Sequence, residues 1–185
     1  MKKHEKARPI SQGRATMSSA VIARDPASLA KRSISVVLGR VKIVGPTGVV
    51  EMKIPGLRLP ITYTDCTLKV DRYLGTRLPF RELVVRSLGG STPDFSMDAP
   101  GEPQFAPDER VLVFLSKDTG NLFELPENGF TVQGAFQGKY TVTLMDEQTE
   151  AVVSPYDKRL RPLEDLVQEI AASLGTVSRA SRRRR

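Results

Sequence analysis

Five carboxylates crowd one segment of the sequence, and carboxylate oxygens are the groups that hold hard cations or share a proton in acid–base catalysis. They are Asp94, Asp98, Glu102, Asp108 and Glu109, in and just after a stretch rich in Pro, Gly and Asp. Their spacing lacks the D-x-D-x-D-G pattern of a calcium loop. We interpret the segment as a solvated acidic loop. A metal- or carboxylate-dependent site at 94–109 is the alternative, with Asp94, Asp98, Glu102 and Asp108 as its candidate ligands.

Histidine and cysteine are too scarce for most other chemistry. The one histidine, His4, lies in the basic N-terminal segment, which argues against catalytic triads, Cys–His pairs and His-ligated zinc in a folded body. The one cysteine, Cys66, alternates with Leu68 and Val70 along a predicted strand, so we expect a buried thiol and no intrachain disulfide. The sequence therefore predicts a protein that is not an enzyme and that needs no cofactor.

Positive charge is concentrated at the two ends of the chain. The net charge is +7, yet residues 1–24 and 178–185 each carry five net positive charges, so 25–177 carries three net negative ones. Basic ends give weak, salt-sensitive contact with nucleic acid or an anionic surface. The candidate contacts are Lys2, Lys3, Arg179, Arg182, Arg183, Arg184 and Arg185.

Aromatic side chains could serve as stacking platforms for bases or sugars, as they do in barrels that bind single strands. The candidates are Tyr63, Phe130, Phe136 and Tyr140. We interpret them mainly as core residues, because a negatively charged body disfavours nucleic acid.

The strand that must organise these groups lies in Gly101–Leu115, where an acidic, Pro-rich loop runs into the apolar stretch Val111–Leu115. We predict that this strand, apolar on both faces, lies between the strands of Ile61–Leu74 and Phe136–Leu144. The remaining predicted strands are 34–44 (with Gly39 as a bulge or a sharp bend), 49–54, 81–88, 122–125, 130–133 and 151–154. A turn is predicted at 45–48, and 122–125 and 130–133 are predicted to form a hairpin around Pro126-Glu127-Asn128-Gly129.

Two helices frame the strands. Asp25 caps a short helix that begins at Pro26 and ends with Lys31 and Arg32. An apolar stripe at helical spacing predicts a second helix over 162–174 with Gly175 just after its end. The expected organisation is a disordered tail at 1–24, a β-barrel domain at 25–160, a helix packed on it at 161–175 and an Arg-rich tail at 176–185. The fold class is mainly β, a small closed or partly open antiparallel barrel with two flanking helices.

Several segments resemble a known family. They are S-V-V-L-G-R-V at 35–41, I-T-Y-T-D-C-T-L-K-V-D-R-Y-L-G at 61–75, G-E-P-Q-F-A-P-D-E-R-V-L-V-F-L at 101–115 and G-A-F-Q-G-K-Y-T-V at 134–142. The pattern resembles an uncharacterised prokaryotic group whose barrel is similar to tissue inhibitors of metalloproteinases and netrin modules, of the oligonucleotide/oligosaccharide-binding (OB) type. The inhibitors chelate zinc through an N-terminal cysteine, and Cys66 lies within a strand, so that chemistry does not transfer.

The resemblance implies a cell-envelope location, whereas no apolar signal-peptide core follows Met1-Lys2-Lys3, which predicts a cytoplasmic protein. Together these features predict a non-enzymatic binding module that contacts another protein through its barrel loops. The alternatives are the 94–109 carboxylate site and a nucleic-acid-associated protein that binds through its basic tails.

Overall fold

The computed structural model describes residues 13–16, 24–54, 57–120 and 122–182. Its first strands are β1 (Gly13–Thr16), β2 (Ser35–Ile54), β3 (Leu57–Tyr73), β4 (Glu82–Leu88), β5 (Gly90–Ser91) and β6 (Phe95–Asp98). They are followed by β7 (Arg110–Ser116), β8 (Gly129–Val132), β9 (Lys139–Leu144), β10 (Glu150–Val153) and β11 (Leu160–Pro162). The helices are α1 (Pro26–Arg32) and α2 (Leu163–Arg182), and a 3-10 turn spans Ala135–Gly138. The prediction of a mainly β protein with two helices is confirmed.

The larger sheet has the strand order β11-β10-β9-β7-β2-β3-β4-β8. Strand β8 pairs in parallel with β4 and antiparallel with β7, so the pairings close a ring through β2, β3, β4, β8 and β7. Because β7 returns to lie beside β2 after the β2-β3-β4 meander, these four strands form a Greek key.

Strand β7 is apolar on both faces, as predicted, and it therefore belongs to two cores. Val111, Val113 and Leu115 point into the ring, whereas Leu112 and Phe114 point to the face that the helices cover. Its predicted position beside the Ile61 strand is wrong, because β7 pairs with β2 and β9. Both edges of β3 are occupied by its hairpin neighbours β2 and β4, which leaves no free edge for β7.

Two main cores result from this arrangement. Buried in the ring are Val37, Val41, Cys66, Leu68, Leu83, Val85, Val111, Val113, Leu115 and Phe130. Between the sheet and the helices are Leu29, Ala30, Val36, Leu38, Leu112, Phe114, Tyr140, Val152, Leu163, Leu166, Val167 and Ile170. Helix α2 therefore packs on the outside of the sheet, together with α1.

The turn predicted at 45–48 is instead an irregularity within the long strand β2. Pairing with β3 shifts register between Val44 and Thr47 and then continues to Ile54. Gly45 has a φ of 115°, in the region that favours glycine, and the Gly45–Pro46 peptide is cis. The turn residues are absorbed as a bulge because β3 supplies hydrogen-bonding partners on both sides of them. The bulge predicted at Gly39 is confirmed by a register shift between Leu38 and Gly39.

The hairpin predicted around Asn128-Gly129 is wrong. Residues 122–125 form no strand, and β8 pairs with β4 and β7 rather than with them. The Gly129 N–H instead donates to the Pro126 carbonyl at 2.9 Å, so the local turn at 126–129 leads directly into β8. The local turn therefore forms as its sequence predicts. Closure of the ring, and not the turn, determines which strands pair with β8.

Helix α1 follows its sequence signals. Asp25 accepts a hydrogen bond from the Ser28 N–H at 2.8 Å, and Pro26 is in the first turn. Helix α2 is longer than predicted, because it does not end before Gly175 but continues to Arg182. The segment predicted as a tail from 176 is therefore helical as far as 182. A single glycine costs a helix only about 1 kcal/mol, which is too little to terminate it alone.

Short strands also occur where tail and loop were predicted. Strand β1 lies within the expected N-terminal tail and pairs in parallel with β6, and β5 and β6 lie within the expected loop at 89–108. The rest of that tail, 1–12 and 17–23, lies outside the described residues, as do 183–185. Neither helix, over the residues that the structure describes, is both long and apolar enough to cross a membrane.

Candidate functional site

The predicted carboxylates do not come together as a metal site. Asp94 lies in the β5–β6 turn, Asp98 ends β6, and Glu102 and Asp108 lie in the loop before β7. Over the residues that the structure describes, no three side chains of the metal-ligating types are grouped to hold an ion. Glu102 is half-buried, and burial raises the pKa of its carboxyl, a rise that a hydrogen bond with the Leu88 backbone partly offsets.

Glu109 has a structural role that the sequence did not reveal. Its Oε1 lies 2.5 Å from the Lys139 Nζ and accepts a hydrogen bond from the Thr141 hydroxyl, while its Oε2 accepts the Ala106 N–H at 3.1 Å. Both charged side chains are largely buried. The carboxylate therefore ties the loop before β7 to β9, and both of its oxygens accept hydrogen bonds within the protein.

Cys66 is a core residue, as predicted, with 1% of its surface exposed. Burial raises the pKa of its thiol to about 12, Glu109 adds to the rise, and Lys139 opposes it. Because the thiolate is the nucleophilic form, a thiol that stays protonated at neutral pH is not a catalytic group.

Three of the four candidate aromatic residues are buried or covered by another side chain. Phe130 and Tyr140 are only 2% and 6% exposed and belong to the two main cores. Tyr63 is covered by the guanidinium of Arg86, which lies 3.7 Å from its ring centroid. Phe136 lies in the 3-10 turn, at the edge of a cleft.

Arg86 attaches the loop between β7 and β8 to the outside of the ring. Its Nε and one terminal nitrogen donate to the Asp65 carboxylate at 2.7 and 2.9 Å, and the other donates to the Glu124 carbonyl at 2.9 Å. The same guanidinium lies over the ring of Phe123 as well as that of Tyr63. The bidentate pair with Asp65 fixes the guanidinium, and its contacts with Glu124 and Phe123 hold the loop against strands β3 and β4.

A cleft of about 620 Å³ lies where the start of α1 meets the β10–β11 turn. Its polar floor is internally bonded: the Gln137 side-chain oxygen accepts the Arg24 N–H at 2.8 Å, and Arg161 donates to Glu169 at 2.8 Å. Burial raises the pKa of Tyr140, at the floor, to about 12, so its hydroxyl stays neutral.

The β10–β11 turn projects from the rim of this cleft and carries exposed anchor residues. The Ser154 N–H donates to the Arg159 carbonyl at 2.9 Å, and Lys158 has a φ of 60°, so the turn is closed tightly. Tyr156 at its tip is 66% exposed, and Leu160 beside it is 53% exposed. Large exposed side chains on a fixed turn are the kind of group that enters a partner's pocket.

A second cleft, of about 440 Å³, lies on the other side of the same turn. Ser154 and Pro155 line both clefts, and Lys139, Lys158, Phe136 and Glu102 are among the other residues that line the second. The turn therefore lies between two concave surfaces. A molecule bound to the turn would contact the side chains that line both clefts. In the sequence, the segment Ser154–Arg161 places an aromatic residue close to Lys and Arg. The strand pattern alone predicted only a connection there.

Comparison with known proteins adds no family: neither a scan against protein-family models nor a search of curated proteins found a match to this chain.

Proposed function

We propose that this protein is a non-enzymatic binding module whose β10–β11 turn docks into another protein. The observation that carries the proposal is Tyr156, which is 66% exposed at the tip of a tightly closed turn between two clefts. Tyrosine and arginine are the residues most enriched among the energetic anchors of protein interfaces. Arg159 lies in the same turn and is also exposed.

The partner that fits has an acidic surface beside an apolar patch. From Ser154 to Arg161 the turn carries Lys158, Arg159 and Arg161 against a single acid, Asp157. Leu160 and Tyr156 supply apolar area in the same segment. Charge complementarity sets orientation and on-rate, while the buried aromatic supplies most of the affinity. Basic residues at the chain ends, including Lys2, Lys3 and Arg183–Arg185, would add non-specific attraction to an acidic partner.

The scaffold we propose is an OB-like barrel of the kind seen in metalloproteinase inhibitors and netrin modules, within residues 25–160. Five strands in a ring, with a Greek key and an apolar interior, support this assignment. OB barrels usually bind ligands on their second and third strands, here β3 and β4. In this chain Arg86 and Phe123 cover that face, which supports a contact elsewhere on the molecule.

Site-specific photo-cross-linking tests the proposal. We expect a benzophenone amino acid in place of Tyr156 to give one discrete adduct in extracts of the source cells. The matched control carries the same group in place of Leu144, which is 62% exposed near the opposite end of the β9–β10 pair, and we expect no such adduct there. The adduct should disappear when Arg159→Glu is added, and the cross-linked peptide of the partner should be rich in Asp and Glu.

Three outcomes would contradict the proposal. Equal labelling from positions 156 and 144 would mean non-specific capture. An adduct that survives Arg159→Glu would remove the electrostatic argument. An adduct made only of two copies of this chain would make the turn a self-association surface instead of a docking site for another protein.

A further inference from the structure

The connection between β3 and β4 forms a separate cleft that none of the predicted sites included. It has a volume of about 460 Å³ and is lined only by residues 70–81, so it shares no residue with the clefts beside the β10–β11 turn. Arg72, Arg77 and Arg81 line it and are exposed. Tyr73 and Phe80 supply partly buried aromatic walls.

This connection is held in place by hydrogen bonds to its surroundings. The Ser35 hydroxyl donates to the Thr76 carbonyl at 2.6 Å, and the Leu74 N–H donates to the Val36 carbonyl at 2.8 Å. Within the connection, the Tyr73 hydroxyl donates to the Phe80 carbonyl at 2.6 Å. The arginines therefore extend from a fixed backbone, which lowers the entropy that a ligand must overcome.

Over the residues that the structure describes, no ion pair neutralises the arginines of this cleft. No acidic side chain that the structure describes lies within ion-pairing distance of Arg72, Arg77 or Arg81. The one acid in the lining, Asp71, is paired with Arg110 at 3.5 Å. Arg77 also lies close enough to Tyr73 to oppose the rise that burial imposes on the pKa of that hydroxyl. Like charges held close together repel, and an anion would relieve the repulsion.

We propose that this cleft binds a phosphate-bearing anion, with Arg72, Arg77 and Arg81 as its ligands. The planar guanidinium matches the geometry of phosphate oxygens and can donate two hydrogen bonds to one phosphate. A cleft of about 460 Å³ falls within the range of small-molecule sites, so a nucleotide-sized group fits it. The phosphates come either from a free phosphorylated compound or from a nucleic-acid strand, and the experiment separates these sources.

Titration of the full chain with inorganic pyrophosphate at low salt tests the site. We compare wild type with the triple variant Arg72→Gln/Arg77→Gln/Arg81→Gln. The control triple Lys31→Gln/Arg32→Gln/Arg58→Gln removes three exposed charges elsewhere and leaves the chain ends unchanged. We expect the cleft variant to bind at least about tenfold more weakly and the control to remain within about twofold.

Backbone amide NMR of the wild type provides a second readout that does not depend on the variants. Pyrophosphate should shift resonances of residues 70–81 and leave those of the β10–β11 turn in place. The proposal is overturned if wild type fails to bind, if both triples lose affinity equally, or if the shifted amides lie elsewhere. If the cleft triple unfolds, Arg77→Gln alone is titrated, and affinity equal to wild type would overturn the proposal.

The source of the phosphates follows from two oligonucleotide arms, a short oligothymidylate with and without a 5′-phosphate. Dependence on the 5′-phosphate indicates a free or terminal phosphate, whereas tight binding without it indicates the phosphodiester backbone. In the second case the cleft triple should reduce the slope of log affinity against log salt by about 2, since single strands contribute about 0.7 for each neutralised phosphate. Oligonucleotide binding that the cleft triple leaves unchanged, with no pyrophosphate binding, would also overturn the proposal.

Discussion

Cys66 illustrates how burial determines the chemistry of a single residue. Its side chain packs among the apolar residues in the ring, close enough to Glu109 and Lys139 for both charges to act on its pKa. The two charges oppose each other, so desolvation dominates and the pKa of the thiol rises. A cysteine close to a carboxylate and an amine resembles the arrangement around a catalytic thiol. The burial of Cys66 argues against a catalytic role.

We predict that Cys66 reacts with a water-soluble disulfide reagent only after the protein unfolds. At pH 8 the thiol of the native chain should react many times more slowly than the thiol of the chain in concentrated guanidinium. The absorbance of the thiolate that the reagent releases measures both rates. The unfolded thiol loses its proton near its ordinary pKa of 9.0 and the native thiol only near 12, so the free energy of unfolding should fall as pH rises between these values.

The variant Cys66→Ala isolates this effect. It should cost about 1 kcal/mol of stability at neutral pH, because a small cavity replaces the thiol. Its stability should also fall less steeply than that of wild type above pH 9. Rapid labelling of the native wild type at pH 8 would show that the thiol is accessible and contradict the prediction.

At the scale of elements, strand β2 connects the two main cores of the fold. It pairs with β7 over Ser35–Arg40 and with β3 over almost its whole length, so its side chains enter both main cores. Gly39 allows this, because a Cβ there would lie 2.5 Å from the Lys69 carbonyl oxygen. A backbone oxygen in a paired strand cannot move aside, so only glycine fits at this bulge.

Two Gly→Ala substitutions should therefore have opposite effects. Gly39→Ala should destabilise the protein by about 3 kcal/mol, because the added methyl forces β2 and β3 apart. Gly175→Ala should stabilise it by about 0.5–1 kcal/mol, because nothing lies within 4 Å of its Cβ and alanine favours the helix. Chemical denaturation measures both. A destabilising Gly175→Ala would instead mean that α2 ends at this glycine.

At the scale of the whole molecule, the two main cores are joined by the strands they share. Strands β2 and β7 each contribute alternate side chains to the ring interior and to the helical layer. Loss of pairing or register in these strands would therefore displace side chains from both cores at once. We therefore expect the ring and the helical layer to unfold together.

Two matched Leu→Ala substitutions test this coupling. Leu68 lies in the ring and Leu166 on the buried face of α2, and both are fully buried. Each substitution should cost about 2–5 kcal/mol and shift one common unfolding transition, followed by both far-ultraviolet circular dichroism and tyrosine fluorescence. Two separated transitions, with only one moved by each variant, would show that the cores are independent.

Much of the secondary structure follows from local pattern, and some of it does not. Alternation predicted the strands that became β3, β4 and β7, and capping signals predicted α1, because these depend on neighbouring residues alone. The turn at 45–48 and the Asn128-Gly129 hairpin failed because a partner strand outweighed the local preference. The alternative of a metal site on the loop carboxylates gains no support, because among the described residues proximity in sequence did not bring three such side chains together in space.

By itself the sequence determined the strand-rich class, the buried thiol, the doubly apolar strand β7 and the basic chain ends, since each depends on composition or on a short repeat. The tertiary structure decided which strands are neighbours, because ring closure by β8 and the β2–β7 pairing join residues far apart in the chain. It also decided where binding groups are exposed. Tyr156 and the three cleft arginines stand out only once the rest of the chain has been packed away from them.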